Sequence, residues 1–128
     1  MIYSIENSPI AVKHLIKLSE KRKNVIPILA DANHPHRYSL IVSIVDIVYQ
    51  DISQRNQAEI FIENINKYLK ENGSGIIMVK ARSIDVSLNP KKVYEKVCTK
   101  LKENNLNIIN KIDLEPYEKD HAAIVVTF

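Results

Sequence analysis

Asp51, Lys80 and His121 are the residues whose types and placement first suggest chemistry. Residues 44–54, IVDIVYQDISQ, are apolar and β-branched up to Asp51 and then pass into a helical pattern. That reads as a buried strand with Asp51 at its carboxyl end. Lys80 closes the apolar run at 75–80, and His121 stands just ahead of the last one. Glu6 and Asp31 follow two earlier runs. In open α/β sheets the crevice beyond the carboxyl ends of parallel strands is where ligands bind. A lysine held near a carboxylate orients or activates a hydroxyl nucleophile, which suits Lys80 and Asp51. An acidic side chain after a strand accepts hydrogen bonds from ribose hydroxyls, a role open to Glu6, and Asp31 could take the exocyclic amine of a base. His121 could orient or relay a proton. Singly, each is also what a strand end shows on meeting a polar loop. Gathered on one rim, the five make a site.

The elements that must position them read as alternating strands and helices. A short strand ends at Glu6. Ser8-Pro9 then starts a helix, with serine as N-cap and proline at the first position, and Ala11, Leu15 and Leu18, with Val12 and Ile16 beside them, on its apolar stripe. Lys21, Arg22 and Lys23 close that helix as cations at its negative end rather than as an RNA contact. The next strand, 25–29, carries Pro27 and should lie at a sheet edge. His34 and His36 flank a proline without a third ligand nearby, so they read as loop residues and not as a metal site. A short helix is expected near 36–43. Residues 54–71 should form the longest helix, ended by Asn72-Gly73. Asn89-Pro90 opens another, with Val93, Val97 and Leu101 inward. Strands at 106–114 and 122–128 are joined by a link too short for a crossover, so they should form an antiparallel hairpin. Alternating elements before it imply parallel strands.

Composition sets the class. At 128 residues, 45% hydrophobic and 26% charged, the chain suits one soluble globular domain. A net charge of +3 permits an anionic partner without requiring one. The single cysteine, Cys98, excludes an internal disulfide, fits a reducing compartment and reads as buried filler. No apolar run reaches the roughly 18 residues a membrane span needs and no signal peptide opens the sequence, so an intracellular protein is expected. Only two glycines occur, Gly73 and Gly75, both assigned to one turn. A Gly-rich phosphate-cradling loop is therefore excluded.

Five stretches carry a family resemblance: IYSIENS near the start, NVIPILADANHPHRY, VDIVYQDISQRNQAEIFIENINKYLKENG, KARSIDV and LEPYEKDHAAIVV. The chain resembles the fibrillarin family, the 2′-O-methyltransferases of box C/D ribonucleoproteins, and most of all its archaeal members. The resemblance implies an α/β fold: a class I S-adenosylmethionine-dependent methyltransferase (Rossmann-like) sheet closed by a C-terminal antiparallel hairpin. It implies that S-adenosylmethionine is held by Glu6 and Asn7, by Asp31 and Ala32, and by Asp51, Ile52, Ser53 and Gln54. Of the family's catalytic group of two lysines, an aspartate and a histidine, Asp51, Lys80 and His121 match. The implied reaction is methyl transfer to a ribose 2′-hydroxyl of rRNA or tRNA. The implied partners are a guide RNA and its target RNA, a Nop-domain scaffold protein and a kink-turn-binding protein. The implied location is the cytoplasm for an archaeal-like protein, or the nucleolus for a eukaryotic one.

Two local departures stand out. The family's Asp-Val-Ala-Gln is here Asp51-Ile52-Ser53-Gln54, and Asn7 occupies a position commonly aromatic. The larger departure is that family members carry a first strand, a glycine-containing loop, a helix and the other catalytic lysine ahead of the segment matching Ile2. Residues 1–128 therefore read as the C-terminal portion of a single methyltransferase domain, incomplete at its N-terminus. In the family sheet that first strand lies in the middle, so two half-sheets with unpaired edges are expected without it. An alternative is a non-catalytic fragment or split subunit that only docks to the ribonucleoprotein. A more distant one is a receiver-like phosphoacceptor domain. Receivers use adjacent carboxylates for Mg²⁺ and end in a helix, and neither feature is present.

Overall fold

The strands fall into two sheets, as expected: two strands in residues 1–43 and four in residues 44–128. The computed structural model describes residues 1–128, which divide into two compact units, Met1–Ser43 and Ile44–Phe128.

In the first unit, β1 (Ile2–Glu6) and β2 (Val25–Leu29) pair in parallel, with Glu6 opposite Leu29. The helix between them, α1 (Pro9–Lys21), starts as its sequence predicts. Ser8 has an extended backbone, and its Oγ accepts from the Ala11 N–H at 3.3 Å, satisfying one of the helix's open donors. Pro27 is tolerated in β2 because the strand has a single neighbour. The helix expected at 36–43 is instead one 3₁₀ turn, Pro35–Tyr38, with Tyr38 buried.

The second unit holds the larger core. Its strands β3 (Val45–Gln50), β4 (Leu69–Lys80), β5 (Asn107–Asp113) and β6 (His121–Thr127) lie in the order β3-β4-β6-β5. β3 and β4 are parallel, while β6 runs antiparallel to both β4 and β5, giving the expected closing hairpin. Helices α2 (Gln57–Tyr68) and α4 (Pro90–Glu103) pack on the sheet, and α3 (Ala81–Ile84) is a single turn after β4. The Asn89 side chain caps α4 through the Lys91 N–H at 3.0 Å. Phe61, Ile65, Ile77, Val79, Val93, Leu101, Ile124 and Val126 are buried between helices and sheet. Each contributes about 1.5–3 kcal/mol by leaving water.

Three expectations are corrected here. The strand ending before Asp51 is not buried: β3 is an edge, and Ile47 and Tyr49 are 58% and 59% exposed, since only β4 pairs with it. The helix after Asp51 covers Gln57–Tyr68 rather than 54–71, and α4 is longer. Leu69 is buried from a strand that begins there, and local apolar spacing does not distinguish that from one more helical turn. Finally, Gly73 and Gly75 lie within β4, neither with positive φ. They are there for space. A Cβ on Gly75 would come within 2.3 Å of Ile65 Cδ1 and 2.9 Å of Phe61 Cζ; one on Gly73 would come within 2.8 Å of the Asp46 carbonyl.

Candidate functional site

The sequence-predicted residues divide between the units. In residues 1–43, Glu6 ends β1, and Asp31 follows its parallel neighbour β2. Glu6 Oε1 accepts from the Ser8 N–H at 2.8 Å, so the carboxylate also turns the chain into α1. Asn7, between them, is exposed. Asp31 Oδ1 accepts from both the backbone N–H and the side-chain amide of Asn33, each at 2.9 Å. The backbone hydrogen bond from Asn33, reinforced by its side-chain amide, holds the Asp31 carboxyl below its ordinary range. Ala32, half-buried, is the small residue that follows it.

In residues 44–128, Asp51, Lys80 and His121 meet at one end of the four-stranded sheet. Asp51 is the first residue past β3, Lys80 the last of β4 and His121 the first of β6. The antiparallel register sets Lys80 directly opposite His121. Lys80 Nζ lies 3.0 Å from Asp51 Oδ1 and donates to Ser53 Oγ at 3.0 Å. The ammonium is thus held by two acceptors of the loop after β3, leaving one further N–H for a ligand. His121 Nδ1 stands 2.6 Å from the Lys119 carbonyl. A carbonyl can only accept, so Nδ1 carries hydrogen there, and in the neutral ring Nε2 is the acceptor. All three residues line a cavity of about 340 Å³, together with Ser53, Met78 and Arg82. Ile52 is half-buried in the loop, and Gln54 is exposed.

The wall beneath His121 is fixed by Arg82. Its Nε donates to Asp120 Oδ2 at 2.9 Å and its Nη1 to the Val86 carbonyl at 3.0 Å. Asp120 itself takes a left-handed backbone, φ 59°, which aspartate tolerates better than most residues, and its carbonyl accepts from the Ala81 N–H at 3.0 Å. The hairpin therefore reaches β6 with His121 already placed. Sequence reading passed over Arg82 and Asp120, whose partners are 38 residues apart. It also passed over Gln57, which is fully buried. A signal for Gln57 was within reach: it stands four and eight residues before Phe61 and Ile65, an amide in register with the core stripe of α2.

Comparison with known proteins follows from this geometry. The family model described as Fibrillarin matches residues 1–128. A fibrillarin-like rRNA/tRNA 2′-O-methyltransferase of Methanocaldococcus jannaschii is 43% identical over 125 residues, covering 98% of this chain and 54% of that protein. Among solved structures, a fibrillarin/Nop5p complex matches with a TM-score of 0.91 at 43% identity, covering 99% of this chain and 60% of that one. Aeropyrum pernix fibrillarin with natively bound S-adenosyl-L-methionine matches with a TM-score of 0.87 at 36% identity, covering 98% and 55%. The chain spans about half the length of the curated relatives it matches.

Proposed function

The chain belongs to the fibrillarin family, and from that premise we propose that it serves S-adenosylmethionine-dependent methyl transfer to a ribose 2′-hydroxyl of rRNA or tRNA. The observation that supports this most is the Lys80–Asp51 contact of 3.0 Å, set between two parallel strand ends beside His121.

The donor set suits the cofactor. Carboxylates after β1 and β2, Glu6 and Asp31 with Asn7 and Ala32, offer acceptors for ribose hydroxyls and for an exocyclic amine. In the other unit, Asp51, Ile52, Ser53 and Gln54 offer a loop with polar groups and one apolar side chain. When bound, S-adenosylmethionine supplies a sulfonium-activated methyl group. The protein's part is alignment and electrostatics. The remaining N–H of the Lys80 ammonium donates to the ribose 2′-oxygen and holds it in place. Asp51 accepts the proton of that hydroxyl as its oxygen gains the methyl. His121 Nε2 borders the same cavity and relays the proton to solvent.

Partners follow from the same premise. A Nop-domain scaffold protein is the first, since a relative has been solved with Nop5p. A guide RNA, its target RNA and a kink-turn-binding protein complete the particle, with guide pairing choosing the nucleotide. The test is transfer of labelled methyl from S-adenosylmethionine to a guide-matched RNA, using the chain assembled with those partners. Label at the 2′-hydroxyl of the guided nucleotide, lost with Lys80→Ala, is the expected result. Label incorporated equally by the variant overturns the assignment.

A further inference from the structure

We infer that Gln57 is a positioning residue for the Lys80–Asp51 pair, an inference that rests on the proposed role of that pair. Gln57 is wholly buried, yet it carries an amide among apolar neighbours. Its side chain joins two backbone groups that regular structure leaves open. Nε2 donates to the Gln54 carbonyl in the loop after Asp51 at 2.8 Å, and Oε1 accepts from the Lys80 N–H at 3.0 Å. The amide has no workable alternative orientation. Turned over, its nitrogen would face the Lys80 N–H and its oxygen the Gln54 carbonyl, donor against donor and acceptor against acceptor.

The need for it lies in the register. β3 ends at Gln50, opposite Ile77, so it has run out before the chain reaches Lys80. The Gln57 amide takes the place of the missing strand there. The Gln57 backbone carbonyl accepts from Gln50 Nε2 at 2.6 Å, and Gln50 is the buried residue just before Asp51. One residue thus ties the end of β3, the loop that follows, the start of α2 and the end of β4. Both members of the Lys80–Asp51 pair are placed through backbone held by this bracket. An amide that only filled space would have no reason to meet these groups in matched polarity.

Gln57→Met keeps the volume and removes both hydrogen bonds. Gln57→Glu is the informative partner. As a neutral acid it has one donor and one acceptor and reproduces the bracket; as a carboxylate it loses the donor to Gln54. Amide exchange of the isotope-labelled chain is read by NMR. Protection of the Lys80 N–H, taken relative to Val79, should fall about tenfold or more in Gln57→Met. In Gln57→Glu that protection should hold, because either protonation state accepts from the Lys80 N–H, while the Gln54 carbonyl carbon resonance should shift as the acid ionises and its donor is lost. In the transfer assay, Gln57→Met should lower kcat by about a hundredfold with little change in KM. Protection unchanged in Gln57→Met, or a Gln54 carbonyl resonance independent of pH in Gln57→Glu, overturns the bracket. The second criterion decides alone if the methionine variant does not fold. A wild-type chain that transfers no methyl removes the proposed function, while exchange at Lys80 still decides the role of Gln57.

Discussion

Lys80 and Asp51 are where activity and stability should separate most clearly. Their ion pair is partly open to solvent, with side-chain exposures of 23% and 46%, and exposed pairs of this kind contribute about 0–1 kcal/mol to folding. Lys80→Ala and Asp51→Ala should therefore leave circular dichroism and thermal midpoint nearly unchanged. Each should lower methyl transfer by about 100-fold or more, the scale of a lost acid–base or orienting group. A variant with near-normal turnover removes the role assigned to that residue. His121→Ala should be milder, because His121 meets the cavity beside the Lys80–Asp51 pair and its Nδ1 is engaged with the Lys119 carbonyl. Ser53→Ala removes one of the two acceptors that hold Lys80 Nζ. Since the family's usual residue there is alanine, that variant should retain activity within about tenfold, and a larger fall would mean the hydroxyl has become essential.

The elements carry predictions that the site does not. Gly75 in β4 leaves no room for a methyl group, with Ile65, Phe61 and Val126 all closer than 3.0 Å to where it would sit. Gly75→Ala should destabilise the chain by about 1–3 kcal/mol, the usual cost of overpacking, as measured by urea unfolding. Unchanged stability would show that α2 can move away from the sheet. On α4, burial raises the Tyr94 hydroxyl to about 12, with help from Asp113, Asp120 and Glu115. Its neutral form is favoured in the folded chain, so the unfolded chain loses that proton first. The associated stability is complete below the ordinary tyrosine value near 10 and is lost as pH rises from there to about 12. In that window wild type should lose about 1.4 kcal/mol per pH unit relative to Tyr94→Phe. Parallel pH curves for the two proteins would contradict the buried environment of the hydroxyl.

Across the whole molecule, the two units differ in how much core each possesses. Every residue of the main apolar cluster lies within 44–128, whereas residues 1–43 bury Val12, Val25, Ile28 and Tyr38 with little else. Native-state hydrogen exchange should accordingly find the strongest protection in β4 and β6 and weaker protection in β1 and β2. Equal protection would mean that the first unit draws stability from something other than its own packing. Much of this architecture was readable from residue order. Ser8-Pro9 and Asn89-Pro90 marked helix starts, because capping depends on neighbours within one turn. The short link before His121 required a hairpin, because chain length bounds connection geometry. What order could not reveal was decided by contacts between distant segments. Leu69 ends a helix or begins a strand with the same hydrophobicity, and pairing with Val45 settled it. Gly73 and Gly75 looked like a turn until β3 was laid against the first and α2 and β6 against the second. Sequence alone determined which residue types stand at the strand ends, since apolar runs and their polar stops are local properties. That Lys80 meets Asp51 and Ser53, and that Gln57 closes the gap where β3 stops, was decided only by strand register, which depends on segments about 20 to 30 residues apart coming together.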